Sequence, residues 1–188
     1  MVSRAVFLDR DGVITQEPPH YAHELSQLDL ISNSSDAIRL LNNNGFMVVV
    51  VSNQAGIARG YYREEDAILF NQAMRERLAK EGAYINAIYY CPHHPEATVE
   101  RYRVDCDCRK PKPGMLIKAH KELDIDLKRS FIVGDKLSDI ETGERAGCKT
   151  ILVKTGYGAE ELKRNHIDCY YIADNIYDAV EHILGLSQ

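Results

Sequence analysis

The chain is predicted to fold as an α/β protein built on a doubly wound, mainly parallel sheet. Three observations predict it. Short β-rich apolar runs alternate with longer helical stretches along the sequence. The run FMVVVVSN (46–53) is apolar almost throughout, as a strand covered on both faces must be. Polar segments rich in Asp, Gly and Lys follow these runs, at the carboxyl ends of strands where such sheets bind ligands.

Taken in order, AVFL (5–8) reads as the first strand and SDAIRLLNNNG (35–45) as a helix with a Ser cap and a terminal Gly. The strand 46–53 follows, then a long amphipathic helix over about 63–81 with Ile68, Leu69, Met74 and Leu78 as its apolar positions. AIYY (87–90) is a third strand. A helix at about 114–123 leads to the strand SFIV (130–133), and a helix at about 139–146 ends at Gly147. TILV (150–153), YYI (170–172) and a closing helix near 176–184 complete the chain. With no internal repeat, low-complexity tract or linker, residues 1–188 are expected to form one domain.

Composition narrows the function. The formal net charge of -5 opposes broad nucleic-acid or anionic-membrane binding, which needs a basic face. No run approaches the roughly 18 apolar residues of a membrane span, and MVSRAVFLDRDG reaches two aspartates too soon for a signal peptide. Five cysteines, an odd number with tight spacings, do not make a disulfide framework. The chain is therefore expected in the reducing cytoplasm, with thiolates available for metal.

Four polar sets stand at the strand ends: DRDG (9–12), SNQ (52–54), RKPKPG (109–114) and GDKLSD (134–139). The topology brings them to one edge of the sheet. Asp9, Asp11 and Asp135 then form a carboxylate cluster, which calls for a hard divalent cation such as Mg²⁺. Ser52, Asn53 and Lys110 offer a hydroxyl, an amide and an ammonium to phosphate oxygens. One Asp of such a set can act as nucleophile, and a second two residues on can move protons. Each set alone has a plainer reading, since Asp-x-Asp-Gly is common in turns, SNQ can cap a helix, and Asp139 can cap the turn after 134. A calcium loop starting at Asp9 fails, because its twelfth position is His20. Four such sets in order outweigh the separate coincidences.

These residues resemble the haloacid dehalogenase (HAD) superfamily of aspartyl-phosphate phosphohydrolases, and the similarity runs through essentially the whole chain. It implies a Rossmann-like core with Asp9 as nucleophile and Asp11 as acid/base. Ser52 and Lys110 are the second and third motifs, and Asp135 and Asp139 the fourth, Asp139 standing behind the metal ligands. Magnesium is then held by Asp9, Asp135 and the Asp11 backbone carbonyl. Within the superfamily, DRDGVI, SNQAGIARG, CPHHP and CDCRKPKPGM look like the D-glycero-D-manno-heptose 1,7-bisphosphate phosphatases, which serve nucleotide-activated heptose for surface glycans. Like the related histidinol-phosphate phosphatases, that branch carries a zinc loop, here about 91–109. Cys91, His93, Cys106 and Cys108 supply three thiolates and one imidazole, a closed set typical of structural zinc. His94 is the rival to His93, which the family pattern favours. The metal would fix the backbone just before Arg109 and Lys110.

Between Asp9 and Ser52 a strand and a helix leave no room for a large cap domain. Loops 13–24 and 55–62 and the zinc loop are expected to wall an open site for a small sugar phosphate, in a monomer that binds no nucleic acid or membrane. Arg59 and Arg109 are candidates for a second, non-reacting phosphate. Asn53, Gln54, Lys136, His20 and Tyr21 are further candidates for substrate contact. Glu17, in TQEPPHYAH, keeps histidinol phosphate open as a substrate, because a carboxylate there could pair with an amine. A reading of another class is a zinc-stabilised binding module for phosphate or nucleic-acid ends; the intact Asp9 and Asp11 pair counts against it.

Overall fold

The computed structural model describes residues 2–18 and 21–185. Six strands, β1 (Ala5–Leu8), β2 (Met47–Asn53), β3 (Ala87–Cys91), β4 (Phe131–Gly134), β5 (Lys149–Val153) and β6 (Tyr171–Ala173), form one sheet. Their order is β3-β2-β1-β4-β5-β6 and every pairing is parallel. The chain starts in the middle, runs outward to β3 and returns to β4 on the other side of β1. The reversal opens a crevice beyond the ends of β1 and β4, the topological switch point of an open α/β sheet.

The helices are α1 (Ser34–Asn43), α2 (Ala55–Ala58), α3 (Glu64–Lys80), α4 (Gly114–Leu123), α5 (Leu137–Ala146), α6 (Gly158–Arg164) and α7 (Ile176–Leu184). Alternate strand residues serve opposite faces, as the period of two requires. Val6, Leu8, Val48, Val50, Val133 and Ile151 pack with Ile38, Leu41, Met74, Leu78 and Val180 in one core. Ala5, Phe7, Val49, Val51 and Ile132 face Met115, Leu116 and Ala119 of α4 in the other. Among the described residues between β1 and β2 the chain adds only the short turn Leu25–Gln27 and α1, which leaves no large cap over the sheet end. No helix among the described residues is long and apolar enough to cross a membrane.

Several elements differ from the sequence reading. Helix α1 begins after Asn33, which adopts a left-handed φ of 65°, and not after a Ser cap. Helix α5 starts two residues before Asp139. On α3 the buried positions are Ala67, Phe70, Asn71, Met74 and Leu78, whereas Ile68 and Leu69 are 48% and 55% exposed. Met74 and Leu78 are buried as expected, but Ala67, Phe70 and Asn71 take the places of Ile68 and Leu69, Ala67 clustering with Ile57, Ala58 and Tyr62 and Asn71 meeting Arg10. Helices α2 and α6 were not expected, being short and without apolar periodicity. His20 lies outside the described residues.

The α3 assignment is testable by urea unfolding. Met74→Ala should cost about 2–5 kcal/mol, and Leu69→Ala should stay within about 0.5 kcal/mol. Equal losses would contradict this division into a buried and an exposed side.

Candidate active site

The polar strand ends meet in a cleft of about 600 Å³ at the switch point. Asp9, Asp11, Ser52, Asn53, Lys110 and Lys136 line its floor, and Glu17, Tyr21, Arg59 and Arg109 its walls. Glu17, Pro18, Tyr21 and Ala22 from the segment after β1, Ala55, Arg59 and Tyr61 from that after β2, and Arg109 at the end of the cysteine loop supply those walls.

Asp9 directly follows β1, and its N–H donates to Val133 O at 3.0 Å, tying it to β4. The Lys110 ammonium is 4% exposed as a residue and lies between two carboxylates, 3.0 Å from Asp9 Oδ1 and in contact with Asp139 Oδ1. It also donates to Val51 O at 3.0 Å. Burial alone would lower its pKa, but Asp139 and Asp9 outweigh burial and raise it to about 12, so the ammonium stays charged. Asp139 turns its other oxygen to the Lys136 N–H at 3.1 Å, closing the start of α5.

Asp135 directly follows β4 and is fully buried. Its Oδ2 accepts the Tyr157 N–H at 2.9 Å, while Oδ1 has no partner among the described residues. Burial first, and the Asp9 carboxylate second, push its pKa up to about 8. Asp9, Asp135 and Asp139 each place a carboxylate oxygen within 4.8 Å of the others. An unpartnered buried carboxylate oxygen beside a second carboxylate fits a hard divalent cation. Gly12, with φ 85°, makes the approach possible: a Cβ there would meet Asp135 Oδ2 at 2.3 Å.

Asp11 is held by a residue the motif reading passed over. Arg10 is fully buried and its guanidinium grips Asp11 through Nε to Oδ1 at 2.9 Å and Nη2 to Oδ2 at 2.8 Å. Its only sequence signal is a cation between two aspartates, which reads equally well as a solvated turn. Gln54, expected to touch substrate, is instead 1% exposed and stands behind the cleft. Its Nε2 donates to Ser52 Oγ at 2.6 Å and Asp11 Oδ2 at 3.3 Å, and its Oε1 accepts from Tyr62 at 2.6 Å.

Asn53 lines the cleft, but both ends of its amide engage the Lys110 backbone, accepting the N–H at 3.0 Å and donating to the carbonyl at 3.1 Å. Arg109 donates to His93 O at 3.2 Å, linking the cleft wall to the cysteine loop. Arg59 stands exposed at the cleft mouth. Glu17 lines the cleft with its charge already paired: both its oxygens accept from Lys136 Nζ, at 3.0 and 2.9 Å. The amine it was expected to meet is thus supplied by the chain itself.

Cys91, His93, Cys106 and Cys108 converge beyond β3, their ligand atoms within 4.8 Å of one another. Sulfur–sulfur separations are 3.5 and 3.2 Å, and His93 Nδ1 lies 3.9 Å from Cys91 and 3.6 Å from Cys108. Zn–S bonds of about 2.3 Å put tetrahedral edges near ~3.8 Å, so the cluster is compatible with zinc. Hydrogen bonds from the Cys91 thiol first, and also from Cys106 and His93, pull Cys108 down to about 5. His94 is not in the cluster; its Nδ1 accepts the Glu96 N–H at 3.1 Å.

The raised Asp135 gives a pH signature. The folded chain holds that proton up to about 8, whereas the unfolded chain loses it near the ordinary 3.8. Folded-state stability from this group is therefore lost as pH rises between those values. In magnesium-free buffer, Asp135→Asn should melt several degrees above the parent at pH 8 and close to it at pH 4. Added Mg²⁺ should raise the melting temperature of the parent only; an unchanged pH slope in the variant would refute the assignment.

Comparison with known proteins agrees with this geometry. A family model for HAD-hydrolase-like proteins matches residues 107–179. The D-glycero-β-D-manno-heptose-1,7-bisphosphate 7-phosphatase of Pasteurella multocida is 44% identical over 98% of this chain and 99% of its own length. The enzyme of that name from Escherichia coli K12 is 46% identical over 81% of this chain and 80% of its own. A D-glycero-α-D-manno-heptose-1,7-bisphosphate 7-phosphatase of Photorhabdus laumondii is 42% identical over 87% of this chain and 90% of its own. The crystal structure of the D,D-heptose 1,7-bisphosphate phosphatase of B. bronchiseptica, complexed with magnesium and phosphate, superposes with a TM-score of 0.88. It is 30% identical, covering 98% of this chain and 99% of that one. The carboxylate cleft at the switch point and the cysteine–histidine cluster beside it thus sit in a chain that belongs to the heptose-1,7-bisphosphate phosphatase family of the HAD superfamily.

Proposed function

We propose that the protein is a phosphatase that removes the 7-phosphate of D-glycero-D-manno-heptose 1,7-bisphosphate through an aspartyl-phosphate on Asp9. The observation that carries this reading is the meeting of Asp9 and Lys110 in one cleft, with the buried Asp135 carboxylate within 4.8 Å of Asp9, in a chain 44% identical to such an enzyme over nearly its whole length.

Asp9 attacks phosphorus, held in place by Lys110 on Oδ1 and by the Arg10 N–H, which donates to the same oxygen at 2.8 Å. The bond to the sugar C7 oxygen breaks, and Asp11 gives that oxygen a proton. Water then attacks the phosphorus of the aspartyl-phosphate, Asp11 takes the water proton, and phosphate leaves with Asp9 restored. Because Gln54 donates to Ser52 Oγ, the Ser52 proton is left to bind a phosphoryl oxygen. Asp9, Asp135 and the Asp11 carbonyl would hold magnesium, which when bound neutralises charge on the transferring phosphoryl group. Arg109 and Arg59 take the 1-phosphate at the cleft wall.

The zinc set is Cys91, His93, Cys106 and Cys108, structural in role because all four positions come from the protein. It steadies the segment that carries Arg109 and Lys110. The reading further places the chain in the cytoplasm, where thiols persist, as a monomer with one catalytic domain. A histidinol-phosphate activity loses its support, since Lys136 already occupies Glu17.

Asp9→Asn should abolish turnover with the fold intact by circular dichroism; residual turnover would end its role as nucleophile. The substrate is decided by kcat/KM with Mg²⁺ for both anomers of heptose 1,7-bisphosphate, fructose 1,6-bisphosphate and histidinol phosphate. The heptose should lead, and a lead for histidinol phosphate would reverse the assignment. Cys106→Ser should lose zinc and thermal stability before its chemical step slows, and normal zinc content would break the ligand set.

A further inference from the structure

The Arg10 side chain is tied to four parts of the structure at once, and the only reacting side chain it touches in the cleft is Asp11. Its fork holds both Asp11 oxygens. Nη1 donates to Asn71 Oδ1 of α3 at 3.1 Å, and Nη2 to Ala22 O of the wall loop at 2.9 Å and Gln54 Oε1 beyond β2 at 3.3 Å. The guanidinium stacks over the Phe70 ring, 4.6 Å from its centroid. A planar fork with fixed donors orients a carboxylate as a point charge cannot. Thr15 Oγ1 at 3.2 Å from Oδ1 and Gln54 Nε2 at 3.3 Å from Oδ2 complete the hold. Arg10 itself is absent from the cleft lining, while Asp11 is part of it.

We propose that Arg10 is a positioning residue for proton transfer: it fixes the Asp11 carboxyl group at the leaving-group side of the cleft. The proposal rests on the acid/base reading of Asp11. A lysine at position 10 keeps the charge and loses the second in-plane donor. The consequence falls on substrates whose leaving group needs a proton. A sugar alkoxide needs one, and p-nitrophenolate leaves without it.

The test compares kcat/KM for heptose 1,7-bisphosphate and p-nitrophenyl phosphate in the metal-loaded full chain, for the parent, Arg10→Lys and Asp11→Asn. Positioned proton transfer contributes on the order of 10²-fold or more, so Arg10→Lys should lose about 10²-fold on the sugar phosphate and far less on p-nitrophenyl phosphate. Inorganic phosphate affinity, measured by calorimetry, should match the parent, because the Arg10 side chain does not touch Asp9, Ser52 or Lys110 and its backbone N–H is kept in the variant. Equal losses on both substrates, no loss on either, or weakened phosphate binding would overturn the proposal and leave Arg10 a purely structural residue. Asp11→Asn separates the two ideas. If it shows the leaving-group selectivity and Arg10→Lys does not, the positioning role fails; if it shows none, the acid/base reading fails and takes the positioning role with it. Should Arg10→Lys not fold, Asn71→Ala removes one anchor of the guanidinium without touching Asp11. It should show the same selectivity at smaller size, and its absence would equally overturn the proposal.

Discussion

Everything at the sheet end depends on keeping carboxylates close together in a place with little water. Asp9, Asp135 and Asp139 are almost wholly buried, and Asp11 stands beside them at the cleft. Buried like charges repel and lose hydration, so they persist only where cations or donors answer them. Lys110 answers Asp9 and Asp139 with one ammonium, and Arg10 answers Asp11 with a fork. Asp135 is answered only in part, by a backbone N–H on one oxygen. The imbalance left at Asp135 suits a divalent cation better than a merely polar core.

That arrangement requires Lys110 to be held from a segment with little regular structure. Residues 92–113 contain only one short helical turn, yet the ammonium must be placed to within a hydrogen bond. Two devices achieve this. Asn53, at the end of β2, grips the Lys110 backbone from both sides. The thiol–imidazole cluster closes the loop just before it and, through His93 O, catches Arg109 as well. A metal held there would cross-link the backbone next to the functional residue, adding to the packing of Ala97 and Tyr102. The cluster and the cleft are thus neighbours with separate chemistry.

The cleft walls show the same economy of charge. Lys136 follows Asp135 in sequence but leans over Tyr157 and pairs with Glu17 from the loop opposite. The pair leaves Arg59 and Arg109 as the guanidinium groups at the cleft wall. Two guanidinium groups on one cleft wall suit a phosphate better than an amine. The charge pattern of the wall therefore agrees with a bisphosphate.

The sequence by itself determined the parallel α/β fold, because the continuous apolar runs of β2, β4 and β5 admit little but strands buried on both faces. It also determined the strand-end motifs, since Asp, Ser and Lys at those positions have no packing role to explain them. The spacing of three cysteines and a histidine was equally legible, because metal ligation is a local constraint on residue type. What only the tertiary structure decided are the partnerships across distance. Gln54 and Asn53 read as substrate-facing amides and turned out to serve Asp11, Ser52 and the Lys110 backbone. Glu17 met Lys136, far away in sequence. Ile68 and Leu69 of α3 were expected inside with Met74 and Leu78 and stand outside, because periodicity gives a stripe but not the surface it meets. Arg10 stayed hidden for the same reason: a charged residue in a turn is ordinary until Asn71, Ala22 and Phe70 close around it. Local sequence specifies which groups are present and the period of their spacing; whether each faces substrate or another side chain is set by long-range packing.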